Sequence, residues 1–184
     1  TYHSQFANDE LTWEKAINYN IGVDFSLFNN RLSGSIEYYH KQSDDLLLDR
    51  PMAGSTGLDS ILKNIGEMSN QGVELSLNST NIDSKDFTWS TNFNASYNKN
   101  EITKYPQEME IVGSKVRQEG YSVYEFYIPK WAGVDPNNGD PLWYYNDTDA
   151  DGKTVQKTTN NYSKADKYHV GDALPTVYGA LTNS

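Results

Sequence analysis

The chain has 184 residues, 36% hydrophobic and 13% aromatic, with a formal charge of -10 from 25 acidic against 15 basic residues. That balance excludes a phosphate-binding surface, which has to be basic, so nucleic acid is not an expected partner. The absence of Cys excludes disulfides, thiolate metal sites and Cys nucleophiles together, and the absence of any run of about 18 apolar residues excludes a transmembrane helix.

Period two dominates the chain from its start. From Ile17 the odd positions read Ile17, Tyr19, Ile21, Val23, Phe25, Leu27, and the even ones Asn18, Asn20, Gly22, Asp24, Ser26. A strand sends successive side chains to opposite faces, so this one has an apolar face and a wet face. Asn29-Asn30 tolerates positive φ and predicts a two-residue hairpin turn. The next strand sets Leu32, Gly34, Ile36, Tyr38 and His40 against Arg31, Ser33, Ser35, Glu37, Tyr39 and Lys41. Residues 44–66 break the pattern, and Pro51, Gly54, Ser55, Gly57 and Asp59 predict a loop there. Alternation returns with Val73, Leu75 and Leu77 against Gly72, Glu74, Ser76 and Asn78, then passes a polar turn at Asn81–Asp86. It is clearest in Phe87, Trp89, Thr91, Phe93, Ala95 and Tyr97 against Thr88, Ser90, Asn92, Asn94, Ser96 and Asn98. Residues 101–174 read as one very long polar loop, with an aromatic stretch, Tyr121–Val134, predicted to project as a strand. A last strand begins near Pro175.

Connections therefore alternate short, long, short, very long. Outer-membrane barrels place short turns at the periplasmic end and long loops outside. Each strand covers about 10 to 12 residues, enough to cross hydrocarbon at a tilt. The predicted fold class is all-β: antiparallel strands of a transmembrane β-barrel, present here in part, with long extracellular loops. Phe25, Phe28, Phe87 and Trp89 near the short turns, and Tyr19, Tyr38 and Tyr97 toward the long ones, suit the two interface girdles. A mean hydropathy of -0.75 agrees, because barrel strands are apolar on one face only. A soluble carbohydrate-binding β-module is the alternative, and it would bury Tyr19, Val23, Phe25, Phe93 and Tyr97 under a second sheet. The wet face argues against it, being mostly Asn, Ser, Thr and Gly where a soluble sheet carries Lys and Glu.

Several stretches carry a family resemblance in their wording. They include Leu11-Thr12-Trp13-Glu14-Lys15, Tyr19-Asn20-Ile21-Gly22-Val23-Asp24-Phe25 and Phe28-Asn29-Asn30-Arg31-Leu32-Ser33-Gly34. Asn70-Gln71-Gly72-Val73-Glu74-Leu75, Trp131-Ala132-Gly133-Val134-Asp135-Pro136 and Leu174-Pro175-Thr176-Val177-Tyr178-Gly179 follow in order. The run resembles the late barrel region of SusC/RagA-type TonB-linked outer-membrane proteins and covers nearly the whole chain. The resemblance implies part of a C-terminal barrel domain in the bacterial outer membrane. It also implies an N-terminal plug, TonB as energy source, a SusD-like lipoprotein as lid, and oligosaccharide or peptide substrates. Residues 1–184 show no plug and no TonB box, and both ends are expected to be cuts within a larger protein.

Candidate site residues fall in the long loop. Trp131, Trp143, Tyr144 and Tyr145 present aromatic faces of the kind that stack on sugar rings, and packing within the loop or against the lid lipoprotein is the alternative use. Asp147, Asp149 and Asp151, followed by Gly152, match the opening of a calcium loop, yet position twelve is Thr158 where a bidentate Glu belongs. A solvated acidic tip is therefore the preferred reading, and calcium is the one cofactor considered. His3, His40 and His169 share no ligand spacing. Asp24, Glu37 and Glu74 are expected to face the lumen. Nothing in the chain suggests an enzyme.

Overall fold

A computed structural model of the chain describes residues 8–52, 55, 57 and 60–184; Gly54, Asp59 and His3 lie outside the described residues. Along the chain the strands are β1 (Lys15–Leu27), β2 (Leu32–Pro51), β3 (Ser60–Asp83), β4 (Thr88–Lys104), β5 (Glu110–Val112) and β6 (Lys115–Arg117). They continue as β7 (Glu125–Pro129), β8 (Trp131–Val134), β9 (Pro141–Thr148), β10 (Thr154–Thr159), β11 (Lys167–Asp172) and β12 (Val177–Asn183). No helix among the described residues is long and apolar enough to cross a membrane.

Two compact units emerge. The first holds residues 1–108, 118–122 and 175–184, the second residues 109–117 and 123–174. In the first, five strands form one antiparallel sheet in the order β1-β2-β3-β4-β12. The registers of all four pairings are in phase. Ile21, Tyr38, Val73, Tyr97 and Val177 stand side by side across the sheet, followed by Val23, Ile36, Leu75, Ala95 and Gly179. The period-two pattern of each strand thus becomes a two-faced sheet, as side chains directly opposite one another share a face.

The turn between β1 and β2 is longer than a two-residue hairpin. Leu27 pairs with Leu32, and Phe28, Asn29 and Asn30 all adopt positive φ, at 55°, 52° and 66°. The Arg31 amide donates to the Phe28 carbonyl at 3.2 Å and closes the turn. Between β3 and β4, the Ser84 hydroxyl accepts from the Phe87 amide and donates to the Phe87 carbonyl, at 3.1 and 2.8 Å.

Residues 44–66 are mostly strand, contrary to the loop predicted there. β2 runs on to Pro51 and β3 starts at Ser60, so the two form an arm that extends the hairpin. Register shifts between Ser43 and Leu46 and between Leu46 and Leu47, with Asp45 at φ 58°, break the parity. A β-bulge inserts an extra residue and re-aims every side chain after it, which hides a strand from a period-two reading.

Residues 101–174 are likewise no structureless loop. β4 continues to Lys104, and residues 118–122 stay with the first unit. There Ile102 exchanges backbone bonds with Gly120 and Tyr121 and is buried. The second unit contains two small sheets, β10-β9-β8 and β11-β7-β6-β5. The stretch predicted as a single projecting strand, Tyr121–Val134, divides into β7 and β8, with Lys130 between them. Val116 is fully buried in this unit, and Glu125 nearly so.

Candidate functional site

One face of the five-stranded sheet is apolar and exposed. Tyr19, Ile21, Val23, Val177 and Leu181 are each between 62% and 70% accessible. Phe25, Leu75 and Phe93 are half-buried, and no second layer among the described residues seals them. A soluble module with this pattern would bury these side chains, because an apolar patch of that extent is costly in water. The band runs from the row of Tyr19 to the row of Leu27 on β1, the span of a tilted strand across hydrocarbon. Aromatic side chains bracket it. Phe28, Phe87 and Trp89 are exposed at the short-turn end, and Trp13, Tyr19, Tyr38 and Tyr97 at the other.

The opposite face is wet and laced with side-chain hydrogen bonds. Tyr39 on β2 lies across β3, where a Cβ on Gly72 would come within 2.6 Å of its hydroxyl. That hydroxyl donates to Asn98 Oδ1 on β4 at 2.8 Å. Asn100 donates to Asn70 at 2.8 Å, and Asn92 donates to Asn78. Hollows of about 490, 340 and 290 Å³ open on this face. The largest is lined by Asn20, Glu37, Tyr39, Lys41, Asn70, Glu74 and Asn98. Asp24, Glu37 and Glu74 all stand on this polar face of the sheet, as the alternation predicted.

In the second unit the four candidate aromatics separate into two faces. Trp131 and Trp143 are cross-strand partners, with ring centroids 6.1 Å apart and planes at 81°. Tyr162, which the sequence reading missed, packs edge-on against Trp143 at 5.2 Å. It enters from the 3-10 turn Tyr162–Lys164, so no strand periodicity links it to β9. Trp131 and Tyr162 keep about half their surfaces exposed. Tyr145 shares the Trp143 face by strand alternation and sits in register with Lys157. Tyr144 points the other way, with the Lys130 ammonium 6.0 Å from its ring.

The three aspartates serve a hairpin. Asp147 lies on β9 and accepts from Lys157 Nζ at 2.6 Å and from the Thr148 amide at 2.8 Å. The hydrogen bond from Lys157, then that from Thr148, holds the Asp147 carboxyl below the usual carboxylate range. The same bond raises Lys157 above its ordinary value. Asp149 Oδ1 accepts from the amides of Asp151 and Lys153 at 3.0 and 2.8 Å, which shapes the tip. Among the described residues no group of three or more acidic, His or Cys side chains is placed to hold a metal.

The family model of the TonB dependent receptor-like β-barrel matches residues 1–178. The chain belongs to this family. TonB-dependent receptor P3 of Formosa agariphila is 36% identical over 94% of this chain and 19% of that receptor. The TonB-dependent receptor SusC of Bacteroides thetaiotaomicron is 34% identical over 73% of the chain and 15% of SusC. Among solved structures, that of the RagAB peptide transporter superposes with a TM-score of 0.71 at 33% identity, over 96% of this chain and 20% of that one. This receptor segment is of the SusC/RagA kind and spans about a fifth or less of the relatives it matches. Those relatives are receptors and transporters, not enzymes, and members of the family are outer-membrane β-barrels. In barrels of this family the apolar face of a wall strand meets lipid and the polar face lines the lumen.

Proposed function

We propose that this chain supplies wall strands and extracellular loops to the barrel domain of an outer-membrane importer. The importer is energised through TonB and works with a SusD-like lipoprotein. Its solutes are oligosaccharides or peptides, as the SusC/RagA resemblance implies, and the RagAB peptide transporter is similar to this chain. The observation that carries the reading is the in-phase register of five strands, which gives one continuous apolar face and one continuous polar face. Because that apolar face is left exposed, the pair of faces suits a sheet with lipid on one side and water on the other.

The β4–β12 connection carries the solute contacts in this reading. Trp131, with Trp143 and Tyr162 behind it, offers a half-exposed, edge-braced aromatic face suited to a sugar ring or an apolar peptide side chain. In cells producing the whole protein, Trp131→Ala is expected to lower solute uptake while leaving the amount in the outer membrane unchanged. Fractionation of cells tests the location itself: recovery of the wild-type protein in the soluble periplasm overturns it.

A further inference from the structure

One row of the lumen-facing side departs from the neutral Asn, Ser and Thr around it. Across the sheet it reads Gly22, Glu37, Glu74, Ser96, Tyr178. Glu37 and Glu74 are direct cross-strand partners. Like charges placed opposite each other on one face are destabilising, so such a pair asks for a countercharge. The salt bridges among the described residues involve neither carboxylate. Lys41, the nearest base along β2 on this face, has its ammonium over the Tyr39 ring at 5.9 Å. Asp24, one step along the same face of β1, adds further negative charge.

A second observation points the same way. Ser96 is only 9% exposed, and its Oγ has no hydrogen-bond partner among the described residues. Buried hydroxyls are normally satisfied, so this one keeps unused bonding capacity. It lines a 340 Å³ hollow with Glu37, Glu74 and Tyr178, and the 490 Å³ hollow meets the same two glutamates, with Lys41 also on its lining. The small neighbours keep the place open. A Cβ on Gly22 would come within 3.1 Å of Glu37 Cγ, so the glutamate lies low across β1. Tyr178, at the end of the row, leaves 56% of its surface exposed.

We infer that Glu37 and Glu74, with Ser96 and Tyr178 beside them, bind a guanidinium or alkylammonium group presented from the lumen. Two carboxylates on neighbouring strands match the several N–H donors of such a group, and a tyrosine ring favours a cation over its face. Two carboxylates are too few for a metal cage, and the hollows are far larger than one ion. The guest is either a basic group on a solute or a basic side chain of the same protein. The inference rests on the lumen placement of the polar face and is independent of the Trp131 contacts.

The test uses the whole receptor in detergent, with Nα-acetyl-L-arginine amide as probe and its uncharged isostere Nα-acetyl-L-citrulline amide as control. For a solute guest, calorimetry shows arginine amide binding over citrulline amide, and Glu74→Gln weakens it by about tenfold or more. For a resident side chain, the probe does not bind, but Glu74→Gln lowers Tm because it strips a charge from a satisfied pair. The inference is overturned if wild type makes no distinction between the two amides and Glu74→Gln leaves Tm unchanged or raises it. The latter is the outcome of relieving an unanswered repulsion.

Discussion

Phe28, Asn29 and Asn30 hold three consecutive left-handed conformations at the tip of the β1–β2 hairpin. Asn bears such φ values through local side-chain bonding, and Asn30 Oδ1 accepts from the Ser26 hydroxyl. Phe28 has no such compensation, and its 73% exposure places the ring where a membrane interface would receive it. A β-branched residue in this tip is expected to be costly. Asn29→Val should destabilise the hairpin by about 1–2 kcal/mol, read as a lower denaturant midpoint for unfolding of the whole barrel. At the other hairpin tip, Asp147 and Lys157 set opposite pH limits. The Asp147 carboxyl is lowered, so its contribution is present above its unfolded pKa and is lost as pH falls through the lower folded value. Lys157 is raised, so its contribution is lost as pH rises through its raised value. Amide exchange at Asp149 should therefore be slowest, relative to the intrinsic rate, between those limits. Lys157→Met should remove the alkaline limb and leave the acidic limb shallower.

The segment before β1 is tied to the arm made by β2 and β3 by side chains, with Asn64 making two of the bonds. Asn64 accepts from the Thr12 amide at 2.9 Å and donates to the Thr12 carbonyl at 2.8 Å, in place of a backbone neighbour. It also donates to the Asp45 carbonyl at 2.7 Å, at the bulge. Lys15 adds a 2.6 Å ion pair to Asp45, and Glu14 accepts from the Leu47 amide at 2.9 Å. Asn64→Ala removes three hydrogen bonds, each worth about 0.5–1.5 kcal/mol net. Exchange of the Thr12 amide should speed up while amides near Leu75 keep wild-type protection; protection unchanged at Thr12 would show that the segment is held by other contacts. This arm also marks the limit of what the sequence reveals. Between Ile17 and Leu27 and between Thr88 and Tyr97 the pattern alone predicts strand, face and hairpin partner, because an apolar face set against a polar one demands strict alternation. Beyond Ser43 that demand lapses, a bulge shifts parity, and Pro51 with its glycine-rich surroundings reads as loop where β2 and β3 continue. The second unit is illegible for a related reason. Its strands, such as β5 and β6 at three residues each, are too short to establish a period. At the site level, Trp131 and Trp143 stand out by residue type, but their register and the arrival of Tyr162 are tertiary facts.

At the scale of the molecule, everything depends on which solvent each face of the sheet meets. Val23 lies in the middle row of the apolar band and is 62% exposed. If that face meets hydrocarbon, an arginine there sits near the bilayer midplane and costs about 2–4 kcal/mol in a barrel of this kind. Asp24, its neighbour in sequence, points to the polar face, where a cation meets water and acidic side chains. The two substitutions introduce the same side chain one position apart on one strand, so the two variants differ chiefly in the face that receives it. In the whole receptor, Val23→Arg should reduce the fraction folded into the outer membrane or into liposomes, read by the heat-dependent gel mobility of intact barrels. Asp24→Arg should insert as wild type does. Equal insertion of both variants would show that the apolar face does not meet lipid, and the barrel reading would fail with it. Failure of both would trace the defect to the strand itself, since a single face cannot account for it.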